Sequence, residues 1–481
     1  MNRRQALQSI GNGFGMLGLC NLLAGSSDER PNPLAPRQPH FPARAKHLIY
    51  LFLNGGPSQV DTFDPKPLLG KYHGQAIPTE FLKDEKLKKS AQNARLLGSP
   101  FSFRKYGQSG LEVSELFPRL GRRIDDVCVI RSMHTDLPAH PQAITQMSSG
   151  RLIAGFPSIG SWITYGIGTE NQNLPGFIAM CPGTPNVGPE LWSSGFLPAA
   201  YQGTYVPCDE HDAERMIHNL KNARVSRQDQ QRQLELTQAL NRLDLARRGA
   251  DPLLEGRIHA LETAFHMQVE SMDAFDVSRE SQAMRERYGV PERPPETSTR
   301  IRSATRDGDF ARGCLVARRL VERGVRVVQL YFGEDIPWDS HHDIMVHKKL
   351  ALQADQPIAA LLADLKSSGL LDETLVVIGG EFGRTPSVET SGRINVQNGR
   401  DHNHRGFTYL LAGGGVKGGI AHGSTDDLGF AAVDQPVHLH DLHATILHLM
   451  GLDHKRLTYR QSGRDFRLTD VAGNVVKEIL A

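Results

Sequence analysis

The chain has little of what marks several common protein classes. Its five cysteines, Cys20, Cys128, Cys181, Cys208 and Cys314, include no CxxC pair and no zinc-finger spacing. That sets aside a cysteine-bound metal module and a thioredoxin-like redox motif. Neither sign of charge dominates: 55 basic against 53 acidic residues leave a net charge of +2. No electrostatic case therefore exists for nucleic acid or a membrane surface as a partner. No apolar run is long enough for a confident membrane span. No serine sits in a GxSxG elbow, and the glycine-rich stretch around Lys417 lacks the Walker spacing and reads as a tight connection after a strand. There is no internal repeat and no long low-complexity tract. A hydrophobic share of 39% over 481 residues is somewhat low, yet it permits a sizeable core in one large α/β domain or two to three ordinary ones.

What the chain does have begins with Arg3 and Arg4, followed by an apolar, glycine-rich run through Leu23 and Ala24. This layout predicts a twin-arginine signal peptide over residues 1–25 and export to the periplasm or beyond. A linker rich in proline and arginine follows over 26–43. Cys20 falls in the leader, so four cysteines remain, as one or two disulfides or as buried free thiols. From residue 44 to 481 the pattern predicts an α/β fold with a large, mainly parallel, doubly wound sheet. Strands are expected at His47–Leu53, Val127–Ile130, Gly176–Met180, Val325–Tyr331, Thr374–Ile378 and Phe407–Ala412. Helices are expected at Gln142–Ser148, near Cys314–Leu320, at His347–Ser368 and at His438–Met450. Residues 209–288 differ: Leu236, Leu240 and Leu243 recur at helical spacing, so a helical insertion forms a side region there.

Histidines number 20 and crowd into the C-terminal half. Three remote segments place candidate ligands at strand ends, where α/β sheets bind. In WDSHHD, residues 338–343, Asp339 and His341 stand two apart in extended chain and point to one face, while His342 points elsewhere. Glu381 follows Gly379 and Gly380 directly after a strand, as a ligand or as a partner of Arg384. His402 lies in a polar loop where Asp401 or His404 could orient it. Asp61 and Asp64, after the first strand, are ligand candidates that serve equally well as turn caps. His134, Thr135, Asp136 and His140 precede a helix whose N-terminus would stabilise an anion. Carboxylates and imidazoles in this mixture suit a divalent metal, zinc first, with manganese or calcium as alternatives.

Four longer motifs carry a family likeness: NGGPSQVDTFDPKP at 54–67, GFLPAAYQGT at 195–204, GEFGRTP at 380–386 and GRDH at 399–402. By these the chain resembles, from about residue 44 to its end, the exported bacterial proteins grouped as domain of unknown function 1501. That family looks like a branch of the alkaline phosphatase and sulfatase superfamily. The late helix at 437–451 and the LAGGGVKGG turn at 411–419 resemble sulfatase segments. The resemblance implies a metal site in which Asp339, His341 and His402 are ligands, with Glu381 and Asn54 at the positions of further ligands. Phe382, beside Glu381, cannot bind metal, and Asn54 offers only a neutral amide. His140 stands in the register of the sulfatase nucleophile, as nucleophile, metal ligand or acid, or as a mark of lost hydrolysis. Arg384 or Arg151 would neutralise developing negative charge. The implied activity is metal-dependent hydrolysis of a sulfate or phosphate ester, on a small molecule or a polysaccharide. The alternative is a non-catalytic sulfatase-like binding or scaffold protein.

Overall fold

The computed structural model describes residues 32–81, 94–210, 216, 225–248, 273–292, 308–389 and 398–481. The expected signal peptide and the start of the linker lie outside these residues, as does much of the 209–288 stretch. Among the described residues, no helix is long and apolar enough to cross a membrane.

A nine-stranded sheet forms the centre. Its strands are β1 (His47–Phe52), β2 (Val127–His134), β3 (Phe177–Cys181), β4 (Thr204–Pro207), β5 (Val327–Tyr331) and β6 (Thr374–Gly379). After β6, a separate hairpin of β7 (Gly383–Val388) and β8 (Arg400–Asn403) intervenes. The sheet resumes with β9 (Phe407–Ala412), β10 (Ile420–His422) and the short β11 (Val437–His438). The spatial order is β10-β2-β9-β6-β1-β5-β3-β4, with β11 also against β2. Every pairing is parallel except the two made by β9. The exception has its cause in what fills the connection, which at residues 380–406 is long enough for a crossover. A parallel return needs a crossover of about a dozen residues or more, usually a helix. Between β6 and β9 the chain folds into the β7–β8 hairpin instead, and β9 comes back antiparallel.

Each sheet face carries its own apolar layer because side chains alternate along a strand. Along β1, Leu48, Tyr50 and Phe52 join one core, while Ile49 and Leu51 join the other. Helices α1 (His140–Ser149) and α2 (Ile159–Ile167) cover the first face, joined there by the C-terminal helix Leu439–Leu449. Helix α3 (Arg227–Arg248) falls in the stretch expected to be helical, and its Leu240 is half exposed. Helices α4 (Asp309–Glu322) and α5 (Val346–Ser367) cover the second face. The fold is thus the expected α/β arrangement with a large, mainly parallel sheet covered on both sides. Cys128, Cys181, Cys208 and Cys314 are buried free thiols.

In a parallel sheet all C-terminal strand ends share one edge. The loops after β1, β2, β5 and β6 therefore meet there, and the start of the reversed strand β9 joins them. Short edge strands β4 and β10 lack a continuous apolar run, which is why the sequence pattern does not announce them.

Candidate metal centre

Four side chains converge at that edge: His140, Asp339, His341 and His402, with ligand atoms all within 4.8 Å of one another. His140 opens α1, after Ala139 in extended conformation and before Pro141, a residue suited to a first helical turn. Asp339 and His341 lie on the loop after β5. Trp338, fully buried against Phe117, Phe332 and His347, pins that loop. Ser340, between the two ligand candidates, turns inward to Nδ1 of His347 at 3.0 Å, so Asp339 and His341 turn the other way together. His402 sits on β8 opposite Arg384 of β7. Gly399 lets the hairpin approach: a Cβ there would stand 1.6 Å from the carbonyl oxygen of His341.

The three rings aim Nε2 at one oxygen. Oδ1 of Asp339 lies 3.2 Å from His140 Nε2, 3.0 Å from His341 Nε2 and 3.1 Å from His402 Nε2. Each Nδ1 has a partner on the far side. His140 Nδ1 meets Oε1 of Glu381 at 2.6 Å, His341 Nδ1 meets Oε2 of Glu389 at 2.7 Å, and His402 Nδ1 meets the Pro138 carbonyl at 2.6 Å. A carbonyl or a carboxylate accepts, so each Nδ1 carries the hydrogen, and in its neutral form each ring would present a lone pair at Nε2. This tautomer is the one a metal requires, with the outer partner fixing ring orientation.

Two observations show that these residues fit a divalent cation. Among the described residues, the buried Nε2 of His140 has no well-directed hydrogen-bond partner, although Oδ1 of Asp339 stands 3.2 Å away. Nε2 of His341 and Nε2 of His402 face each other at 2.8 Å, a contact that two lone pairs oppose unless a proton or a cation lies between them. Protons are favoured there in the absence of a cation. Burial works to lower the pKa of His140, but the carboxylates of Asp339 and Glu381 push it up to about 9. Asp339 raises His341 as well, against burial. Burial would raise Asp339, but the three imidazoles and the Arg384 guanidinium hold it well below the usual carboxylate range. Burial lowers His402, the most weakly compensated of the three rings.

The other expected site residues stand around this group. Asn54 is outside it: its amide donates to the carbonyls of Gly333, at 2.8 Å, and Asp335. Glu381, fully buried, accepts from the Gly55 N–H at 2.9 Å and holds His140 from behind, with its oxygens outside the converging set. Arg384 does not pair with Glu381. Its buried guanidinium donates to Oδ1 of Asp339 at 2.6 Å and to the carbonyls of Gly55 and Gly56. Arg151 is taken up by Asp470 at 2.6 Å. Asp61 pairs with Arg400 at 2.7 Å in full burial, and Asp64 pairs with Lys66 at 3.0 Å. His342 is exposed, and Asp401 accepts from the His402 backbone N–H rather than orienting its ring. Asp136 binds His438 and Gln146, away from His140. Glu389 and the Pro138 carbonyl were not singled out from the sequence. A lone glutamate past a strand and a backbone oxygen carry no motif.

A family model described as "Protein of unknown function (DUF1501)" matches residues 45–480. No curated protein matches in sequence. Among solved structures, a sulfatase from Pseudoalteromonas sp. is 12% identical with a TM-score of 0.33, covering 91% of this chain and 70% of that one. A protein in the alkaline phosphatase superfamily from Vibrio parahaemolyticus is 11% identical with a TM-score of 0.32, covering 92% and 76%. The lipoteichoic acid synthase LtaP from Listeria monocytogenes is 9% identical with a TM-score of 0.34, covering 94% and 80%.

Proposed function

The chain belongs to the DUF1501 family of proteins of unknown function, and from that premise we propose that it is an exported, metal-dependent hydrolase of sulfate or phosphate esters. The metal part of this proposal is supported by the geometry, and the ester class by the sequence resemblance of the late helix and the glycine turn. The observation that carries it is the convergence of three oriented Nε2 atoms on one carboxylate oxygen.

His140, His341 and His402 through Nε2, and Asp339 through Oδ1, would hold the cation. Three imidazoles and one carboxylate suit zinc or manganese better than calcium, which prefers an all-oxygen shell. A bound cation of this kind supplies Lewis acidity to an ester oxygen and acidifies water. His140 serves as a ligand rather than as a nucleophile, because its Nε2 faces Asp339 and its Nδ1 is held by Glu381. Arg384 keeps Asp339 ionised and in place, and its donors are spent on Asp339 and backbone carbonyls. A substrate would approach from the side of His341 and Asp401, the more exposed residues of the group. The substrate is a small-molecule or polysaccharide ester.

Metal content by plasma mass spectrometry, read beside turnover of aryl phosphate and aryl sulfate esters, tests this. The expected result is about one divalent cation per chain, lost in His402→Ala together with ester hydrolysis. Purified protein without bound metal, or hydrolysis indifferent to His402→Ala, would sink it.

One observation favours a second proposal. Four protein donors already complete a tetrahedral set, as in closed structural sites, and no hydroxyl or thiol stands in the place of His140. The centre would then brace a sugar- or protein-binding scaffold. Metal-loaded protein that binds glycans and turns over no ester would decide for it.

A further inference from the structure

At the other end of β2, away from the metal centre, lies a groove of about 740 Å³ lined by Arg119, Arg122, Arg123 and Arg287 and by no carboxylate. The first three arginines sit on the short helix Pro118–Gly121 and the turn after it, just ahead of Val127. Arg287 comes from the last turn of helix Gln282–Tyr288. The floor is a small-residue stretch of α5, with Ala359, Ala360 and Ala363, which gives the groove its depth. That floor lies on the order of 15–30 Å along α5 from its start beside the metal centre.

Polar contacts brace the groove and compensate part of its charge. Gln356 joins the two walls: its oxygen accepts from Arg119, and its amide donates to the carbonyl of Arg287 at 3.2 Å. Asp355, a buried acid close by, accepts from the backbone N–H groups of Arg119 at 2.9 Å and Leu120 at 2.8 Å, and its carboxyl also faces the side chains of Arg119 and Arg122. Asp364 takes Arg287 at 2.6 Å. Among the described residues, the guanidiniums of Arg122 and Arg123 make no hydrogen bond or ion pair. In a chain whose total charge is only +2, this is local clustering rather than general basicity. Like charges gathered around a cavity repel one another, and an anion placed between them relieves that cost. Guanidiniums also match sulfate and phosphate oxygens in geometry, through paired N–H donors. The volume falls in the range of small-molecule sites.

We propose that this groove is a second ligand site, for a polyanion carrying at least two sulfate or phosphate groups. The site does not depend on the metal centre, and it accepts the charged groups of a sulfated sugar or of a free phosphate chain. Arg122 and Arg123 are the principal anion contacts, Arg119 and Arg287 the fixed walls.

Calorimetric titration of the full protein with sucrose octasulfate, and separately with inorganic pyrophosphate, tests the proposal. The expected result is saturable binding of one or both, weakening steeply between about 50 and 200 mM salt. Arg122→Glu/Arg123→Glu should raise Kd by roughly tenfold or more, and Arg122→Gln/Arg123→Gln by less. His402→Ala should leave Kd unchanged. Binding of the sugar sulfate alone, or of pyrophosphate alone, assigns the source of the anion and supports the site. No saturable binding of either probe overturns the proposal. So does a Kd indifferent to both arginine pairs, or one lost only in His402→Ala, which would assign the anion to the metal centre. A lack of ester hydrolysis would leave this result untouched.

Discussion

The three imidazoles of the metal centre differ in what stands behind them. His402 has a backbone carbonyl, His341 the buried Glu389 carboxylate and His140 the fully buried Glu381 carboxylate. Among the described residues, Glu381 has the Gly55 N–H and His140 as its polar partners, so its charge is compensated through that ring. Glu381→Gln keeps an oxygen for the Nδ1 hydrogen but removes the charge that raises ligand basicity. Its metal affinity is expected to fall by about 10–100-fold, read as Kd in competition with a chelator, with the ligand set intact. Retained wild-type affinity would show that His140 is not held through Glu381. At this scale the sequence is partly legible. Period-two spacing alone turns Asp339 and His341 to one side. Glu389 carried no such signal, because a hydrogen bond across the 48 residues to His341 leaves nothing in the local pattern.

Elements place these residues, and one close approach decides how well. The β7–β8 hairpin lies against the loop after β5: Ile344 N–H donates to the Asn398 carbonyl at 3.0 Å, and Arg400 N–H to the Ser340 carbonyl at 3.1 Å. Gly399, between those two contacts, has no room for a methyl group beside His341. Gly399→Ala must therefore push the hairpin, and His402 with it, away from Asp339. Metal affinity is expected to drop by roughly tenfold or more, although no ligand is altered, because a site loosened by an ångström loses its geometry. Equilibrium dialysis against zinc measures this, and an unchanged Kd would mean that the hairpin is not what positions His402. The central strands were legible as apolar runs bounded by glycine turns. The hairpin was not, since its strands are polar and half of its loop carries no periodic pattern. The reversal of β9 was equally hidden, because direction depends on what fills the connection rather than on the strand.

For the molecule as a whole, burial of neutral imidazoles sets an acid limit. His347 and His443 are pushed down from 6.5 to about 3 by burial. Between those values the unfolded chain binds protons that the folded chain refuses. Stability therefore rises with pH across the window and is lost as pH falls below 6.5. Each ring contributes a slope of up to about 1.4 kcal/mol per pH unit within it. Urea unfolding at a series of pH values should show this, and His347→Gln, which keeps an acceptor for the Ser58 N–H, should flatten it. A slope unchanged in that variant would remove His347 from the account.

The sequence by itself determined the class of fold and the candidate chemistry. Apolar periodicity fixes which segments become strands and helices, and residue type fixes which atoms have lone pairs to offer. Only the tertiary structure decided which of those atoms meet. It drew His140 into the group, set Glu381 behind it, and turned Asn54 toward backbone carbonyls. The reason is physical. A ligand set is a matter of distances between loops hundreds of residues apart, and those distances follow from the order and direction of strands in the sheet, which no local pattern encodes.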